Sequence, residues 1–307
     1  MLERRASLFE LIEDGIPVWA MGAYDVLSAK VIDAAGFNAI GLQSLQMALS
    51  RGLPDIGVVG PDELVRMCRE IRRVSDLPII VDFEQGFGEP YASVYWMKQL
   101  ADAGASAIHI DDYGLPYKCP FIPPHVMGLE SRDQTANRIR AMVGERPRTD
   151  FMIIGRAGTY VANIAPDEEA RRADWLDRSE RYLEAGADAL FPVGWEVSQL
   201  EWFRKAVTCP LITIRTLGTE TMTEGRVQYS RGVMELTVPE IFGLGYQIYI
   251  EPSTLMGVAV SAMQEASGQI LDAGTSAVVA HQHGNLYDFL DKWTDVPEVR
   301  RIRQKYS

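Results

Sequence analysis

The chain has 307 residues, 47% of them hydrophobic, and 42 acidic side chains against 30 basic ones give it a net charge of −12. That balance argues against a nucleic-acid backbone as partner, and no apolar run approaches the roughly 20 residues that span a bilayer. Cys68, Cys119 and Cys209 are isolated thiols, which suggests neither a disulfide framework nor a zinc knuckle. The opening Met1-Leu-Glu-Arg-Arg has no signal-peptide apolar region, so a cytoplasmic location is expected.

Taken in order, residues 6–14 form an amphipathic helix with Leu8, Leu11 and Ile12 on one side. A short apolar run from Pro17 to Met21 reads as a strand, and Leu27 to Ala35 as a helix stopped by Gly36. Pro61 opens a helix through Val74, with Asp62 and Glu63 in its first turn. Further strands are expected at Pro78–Asp82, Phe151–Arg156 and Pro210–Ile214, and further helices at 131–143, 166–185 and 237–244. One phrase recurs: Ala35-Gly-Phe-Asn-Ala-Ile, Ala103-Gly-Ala-Ser-Ala-Ile, Ala185-Gly-Ala-Asp-Ala-Leu and, more loosely, Leu244-Gly-Tyr-Gln-Ile. Each reads as a helix-ending glycine followed by a buried strand. Strands near residues 17, 38, 78, 107, 151, 188, 210 and 246 alternate with helices. Their apolar runs do not alternate, as strands buried on both faces require. The expected fold is a closed (β/α)8 TIM barrel over residues 1–252, followed by a helical extension over 253–307. That extension is expected to hold helices at 253–271 and 276–293. The first is rich in Leu255, Met256, Val258, Val260 and Met263, which suits packing either on a partner subunit or within the chain. Residues 112–130 are proline-rich and lack a helical period, a candidate lid.

In a barrel the loops after the strands build the site. Val81-Asp82-Phe83-Glu84-Gln85-Gly86-Phe87-Gly88 ends a buried strand with two acids two residues apart. If the strand continues, Asp82 and Glu84 share a face, and a hard divalent cation is the simplest agent to hold them together. Asp55 and Asp111 fall after neighbouring strands, and Arg156 ends the fifth. Tyr24, Asp25, Gln43, Ser44 and Asp112 fall at strand ends too, with Lys118 and Cys119 on the candidate lid. Acids, a cation and an arginine are what an enzyme needs to bind a 2-oxo or 2-hydroxy acid and stabilise an enolate. Each residue has a plainer reading. Asp82 or Asp111 alone would be a helix cap, Arg156 a structural ion pair and Cys119 an inert thiol that matters only beside Lys118. His109 reads as a core histidine, and His281 and His283 are given no role.

The motifs Gly22-Ala-Tyr-Asp-Val-Leu-Ser-Ala29, Gly52-Leu-Pro-Asp-Ile-Gly57, Val81–Gly88, Ile108-His-Ile-Asp-Asp112, Lys118-Cys119 and Ile153-Ile-Gly-Arg156 occur in order over residues 15 to about 260. As a set they resemble the isocitrate lyase and phosphoenolpyruvate mutase superfamily, most of all its methylisocitrate-lyase-like and phosphonomutase-like members. The resemblance implies an α/β barrel with bound Mg2+, Mn2+ being the alternative, and a small-molecule carboxylate substrate. It implies that Asp55, Asp82, Glu84 and Asp111 surround the metal, partly through water. It also implies that Tyr24 and Ser44 hold the substrate carboxylate and oxo group, that Arg156 binds substrate, and that Cys119, beside Lys118, is the general acid or base of a gating loop. A homo-oligomer, dimer or tetramer, with a C-terminal helix exchanged between subunits is implied as well.

The chain departs from the family at several points. Asp82-Phe-Glu84 stands for Asp-x-Asp, Asp111-Asp112 for Glu-Asp, and Tyr117-Lys-Cys-Pro-Phe121 lacks the usual Gly-His. Ala157-Gly158 replaces Thr-Asp, and Phe191-Pro-Val-Gly194 lacks the usual glutamate. The expected activity is a Mg2+-dependent carbon–carbon lyase on a 2-hydroxy di- or tricarboxylate, working through the enolate of a 2-oxo acid. Phosphonopyruvate or phosphoenolpyruvate P–C mutase or hydrolase chemistry, or 2-oxo-acid (oxaloacetate) decarboxylation or hydrolysis, is the alternative, and a barrel that only binds a metabolite is a third reading.

Overall fold

Seven parallel strands, β1 (Val18–Ala23), β2 (Ala39–Leu42), β3 (Ile79–Asp82), β4 (Ala107–Ile110), β5 (Met152–Ala157), β6 (Ala189–Pro192) and β7 (Ile212–Ile214), are followed by an antiparallel hairpin and an eighth parallel strand. The hairpin is β8 (Glu220–Thr223) with β9 (Arg226–Tyr229), and the eighth parallel strand is β10 (Ile248–Glu251). The computed structural model describes residues 6–114, 128–162, 166–194, 196–215, 220–223, 226–229, 232, 235–282 and 285–307. It divides into two compact units, residues 1–252 and 253–307.

The hydrogen-bonded order is β6-β5-β4-β3-β2-β1-β10-β7. A parallel bridge between Leu190 and Leu211 joins the two ends, with the Leu190 N–H donating to Pro210 O at 3.0 Å. The strands therefore close into the α/β barrel that the sequence predicts, and the eight strands fall where they were expected. Val18, Ala20, Ala39, Ile80, Ala107, Ile154, Phe191, Ile248 and Ile250 meet in one buried cluster, the filled interior of a barrel. Helix α1 (Leu8–Glu13) opens on a Ser7–Glu10 capping box and adds Leu8 and Leu11 to the same cluster. This inward parity aims the site: two residues beyond Ile80, Ala107 and Ile154 lie Asp82, His109 and Arg156.

The recurring glycines have the geometry that their phrase predicts. Gly36, Gly104, Gly186 and Gly245 have φ of 91°, 103°, 97° and 89°. A Cβ on Gly104 would lie 2.7 Å from the Arg72 side chain, so the turn demands glycine for room as well as for φ. Around the barrel run α2 (Val26–Ala35), α3 (Ser44–Leu49), α4 (Pro61–Arg72), α5 (Pro90–Asp102), α6 (Arg132–Gly144), α7 (Thr159–Ala162), α8 (Glu168–Glu184), α9 (Val197–Ala206) and α10 (Val238–Gly243). Helices α3, α7 and α9 and the hairpin go beyond the elements the sequence suggests, while α5 is the helix that the phrase at Ala103-Gly104 ends.

In the second unit, α11 (Thr254–Ala273) ends at Gly274 with φ 68°. The second helical stretch, expected at about 276–293, is made of two segments. It is a 3-10 segment, Ser276–Gln282, followed by α12 (Leu286–Trp293), whose N-cap Asn285 accepts from the Asp288 N–H at 3.0 Å. A further helix, α13 (Val296–Tyr306), carries a proline in its first turn. Val258, Met263, Leu271, Leu286 and Tyr287 are exposed on this unit. Among the described residues no helix is long and apolar enough to cross a membrane.

Candidate active site

Asp82 is the last residue of β3, and strand geometry stops there. Glu84 has φ of +49°, so it does not share a strand face with Asp82 as the spacing alone predicts. The two acids still converge, because pairing with β4 runs past the strand ends: the Phe83 N–H donates to His109 O at 2.9 Å, and the Asp111 N–H donates to Glu84 O at 2.8 Å. The turn that sets Glu84 against Asp111 is tight. Glu84 and Phe87 are the two non-glycine residues with positive φ among the described residues. Gly86 has φ of +86°, and its missing side chain leaves space for Ser93, whose Oγ donates to Gly86 O at 2.8 Å.

Asp82, Glu84 and Asp111 each bring a carboxylate oxygen into a group whose members lie within 4.8 Å of one another, and all three residues are buried. Glu84 Oε2 and Asp111 Oδ2 are buried without a hydrogen-bond partner. Burial, then the charges of Asp82, Asp111 and Asp55, push the Glu84 carboxyl well above the usual carboxylate range. Burial does the same to Asp111, with Asp82 and Asp112 adding to it and the Arg156 charge opposing it. Three buried acids, two of them with an oxygen that has no partner in the protein, fit a hard divalent cation, which takes oxygen ligands.

Around this trio, Ser44 at the start of α3 donates from Oγ to Asp82 Oδ2 at 3.3 Å. Arg156 on β5 reaches Asp82 Oδ1 at 3.9 Å from Nη1. His109 is paired in register with Asp82, its Nδ1 3.5 Å from Asp82 Oδ1, and Nε2 lies 3.3 Å from Gln43 Oε1. Burial drives the His109 pKa down to about 4, so the ring is neutral. It is a core histidine, as its place in the strand predicts, and it lines the carboxylate side.

Other expected residues fall less centrally. Asp55 is buried and near enough to act on the Glu84 charge, yet it is not one of the trio within 4.8 Å. Tyr24 lies just past β1 at the same end of the barrel, half-buried, with its pKa raised by burial and by Asp25. Asp25 itself caps α2, its Oδ1 accepting from the Ser28 N–H at 2.7 Å. Asp112 turns away from the acids: its Oδ2 accepts from Tyr182 Oη at 2.8 Å and Arg178 Nη1 at 3.1 Å, and its Oδ1 from the Gly158 N–H at 2.9 Å. The candidate lid is pinned at both ends, with a bridge between Tyr113 and Leu129, the Gly114 N–H donating to Gly128 O, and the Glu130 N–H to Asp112 O. Lys118 and Cys119 lie outside the described residues.

Residues missed by the sequence reading also shape the site. Gln46 Nε2 donates to Pro252 O, and a Cβ on Gly22 would collide with that same carbonyl. Tyr113 packs its ring against Arg156, and Phe191 does so from β6. A buried aromatic 43 positions from the arginine it touches leaves no local pattern to read.

A closed barrel with clustered acids and an arginine at the carboxyl ends of its strands has the form of a TIM-barrel enzyme. Residues 8–271 match the family model described as phosphoenolpyruvate phosphomutase. The chain is 33% identical over 276 residues to a protein named probable 2-methylisocitrate lyase 2 from Corynebacterium glutamicum, covering 88% of this chain and 82% of that one. It is 29% identical over 308 residues to the 2,3-dimethylmalate lyase of Eubacterium barkeri, covering 98% of both. Among solved structures, the phosphoenolpyruvate phosphomutase of Streptomyces platensis subsp. rosaceus superposes with a TM-score of 0.84 at 21% identity, over 98% of this chain and 99% of that one, which speaks to the fold. The chain therefore belongs to the phosphoenolpyruvate phosphomutase family and is a carbon–carbon lyase of the phosphoenolpyruvate mutase and isocitrate lyase superfamily.

Proposed function

We propose that the chain is a Mg2+-dependent lyase that cleaves, or in reverse forms, a C–C bond in a 2-hydroxy di- or tricarboxylate of the methylisocitrate or dimethylmalate kind. The observation that carries this reading is the buried trio Asp82, Glu84 and Asp111, within 4.8 Å of one another and next to Arg156. In this reading the trio holds the cation, and Asp55 supports it from further out. A bound divalent cation would act as a Lewis acid on the substrate's oxygens.

The rest of the chemistry belongs to the protein. As the C–C bond breaks, the hydroxyl loses its proton and its carbon becomes the oxo carbon of a 2-oxo acid. The bonding pair stays on the carbon beside the departing carboxylate, and that carbon takes up a proton. Electron balance thus puts the developing charge on the departing fragment rather than on the 2-oxo acid. Arg156 binds a substrate carboxylate through its fixed donors, with Ser44 and Tyr24 orienting the oxygen-bearing end. Cys119, with Lys118 favouring its thiolate, is assigned the proton transfer to the departing carbon. The same reading places a partner subunit against the exposed apolar side chains of residues 253–307, through an exchanged helix in a dimer or tetramer.

The test is a screen of 2-hydroxy and 2-oxo dicarboxylates, 2-methylisocitrate and phosphonopyruvate, with Mg2+ present and released 2-oxo acid detected. The expected result is pyruvate or glyoxylate from a 2-hydroxy acid, abolished by EDTA. Turnover of phosphonopyruvate alone would overturn the C–C assignment in favour of P–C chemistry.

A further inference from the structure

Arg156 is packed against two aromatic rings. Its guanidinium carbon lies 5.4 Å from the centroid of Tyr113 and 5.1 Å from that of Phe191, and Nη2 is 3.5 Å from Tyr113 Oη. Phe191 belongs to the barrel interior, and His109 meets it edge-on at 5.3 Å. Tyr113 comes from the connection after β4 and has to be brought to β5 by other means.

Three features bring it there. The Tyr113 backbone bridges to Leu129, and its N–H donates to Asp111 Oδ1 at 3.3 Å. Asp112, the preceding residue, ties this connection to the end of β5 through the Gly158 N–H. Gly158 then leaves the room that the ring occupies: a Cβ there would lie 2.2 Å from Tyr113 Cε1 and 3.0 Å from Cδ1 and Cζ. No side chain fits at position 158 with the ring where it is. Gly158, just past the end of β5, thus leaves its space to a ring from the connection after β4.

We infer that Tyr113 is a positioning residue, which holds the Arg156 guanidinium facing the Asp82–Glu84–Asp111 trio so that it meets a substrate carboxylate in a fixed orientation. An arginine side chain has many rotamers, and fixing it before the ligand arrives removes an entropic cost from binding. Packing against the ring does this while Nη1 stays 3.9 Å from Asp82 Oδ1, on the side of the acids. The inference rests on the reading of Arg156 as the carboxylate-binding arginine.

Calorimetric titration with oxalate in the presence of Mg2+, and with Mg2+ alone, tests it. Oxalate is a planar dianion that needs no turnover, so the assay is independent of the unidentified substrate. Arg156→Ala is expected to weaken oxalate at least tenfold. Tyr113→Leu, which keeps bulk but removes the ring, is expected to weaken it three- to tenfold, and Gly158→Ala, which displaces the ring, by a similar factor. Tyr113→Phe should stay within twofold of the parent. The Mg2+ affinity should stay within twofold in the Tyr113 and Gly158 variants, a separation that a merely structural role would not produce. If Tyr113→Leu fails to fold, Gly158→Ala and Tyr113→Phe still decide. Oxalate binding unchanged in Gly158→Ala and Tyr113→Leu, with Arg156→Ala weakened, would overturn the inference alone. So would parallel losses of Mg2+ and oxalate affinity in the Tyr113 and Gly158 variants. Unchanged binding in Arg156→Ala would overturn the reading of Arg156, and the inference with it.

Discussion

Asp111 and Asp112 are consecutive, yet Asp112 Oδ2 accepts from both Tyr182 and Arg178 whereas Asp111 Oδ2 is buried with no hydrogen-bond partner. The first acid is one of the trio, and the second joins the end of β4 to α8 and, through Gly158, to the residues just after β5. Asp112→Asn weakens a buried hydrogen-bonded pair with Arg178, which keeps Asp174 as a counter-charge, and should cost about 1–3 kcal/mol of stability. Asp111→Asn should cost none. Urea unfolding of the two metal-free variants checks the contrast.

Glu84 and Asp111 hold carboxyls whose pKa values are raised, by burial first and by their acidic neighbours next. A group with a raised folded-state pKa contributes stability below its unfolded pKa and loses it as pH rises through the folded value. The metal-free parent should therefore weaken as pH climbs above the ordinary carboxylate range. Glu84→Gln should melt about 2–4 °C higher than the parent at pH 8, for a gain of about 1 kcal/mol. Saturating Mg2+ should reverse that order, since it stabilises only a chain that binds it. Scanning calorimetry with and without Mg2+ measures both.

His109 shifts the other way, to about 4, because burial disfavours its charged form and Arg156 adds to that, while Asp82 partly opposes them. Its unfolded pKa is about 6.5. The unfolded chain binds a proton here that the folded one refuses, so stability is full above about 6.5 and falls as pH drops toward 4. The loss over that window is on the order of 3 kcal/mol from this group. His109→Asn should lack this portion of the acid destabilisation, read as the difference between the two unfolding free energies at pH 7 and pH 4.5.

Gly86→Ala should be damaging for two separate reasons. Its φ of +86° is left-handed, and a new Cβ would lie 2.5 Å from Ser93 Oγ. The expected cost is about 1–3 kcal/mol, with Mg2+ affinity reduced because the turn that sets Glu84 against Asp111 is disturbed. A Ser93→Ala partner should recover part of the stability and not the part that belongs to φ.

Much of this site could be read from residue order. Strand-end acids at 82, 84 and 111 and the arginine at 156 follow from apolar runs that stop at polar residues, because parallel strands deliver their last residues to one mouth. What resisted reading depends on geometry past the strand ends. The convergence of Asp82 and Glu84 comes from a left-handed turn and extended pairing with β4, not from the two-residue period that suggested it. The opposite tasks of Asp111 and Asp112 depend on Arg178 and Tyr182, some 70 positions away. Helix α5 carried a proline in its first turn, but exposed Tyr91 and Tyr95 blur its apolar stripe. Helix α13 has no buried residue, and its Val299, Ile302 and Tyr306 are exposed.

The paired ends of the connection after β4 have a consequence for how such an enzyme changes over evolutionary time. Gly114 and Gly128 are hydrogen-bonded to one another, and Asp112 with Glu130 closes the same base. Arg138 braces it from α6, gripping Glu130 with two nitrogens and Gly88 O with a third at 2.7 Å. The contacts that hold Asp111 and the turn at Glu84 thus lie outside residues 115–127, and the acid cluster can be inherited unchanged while the sequence of that span varies.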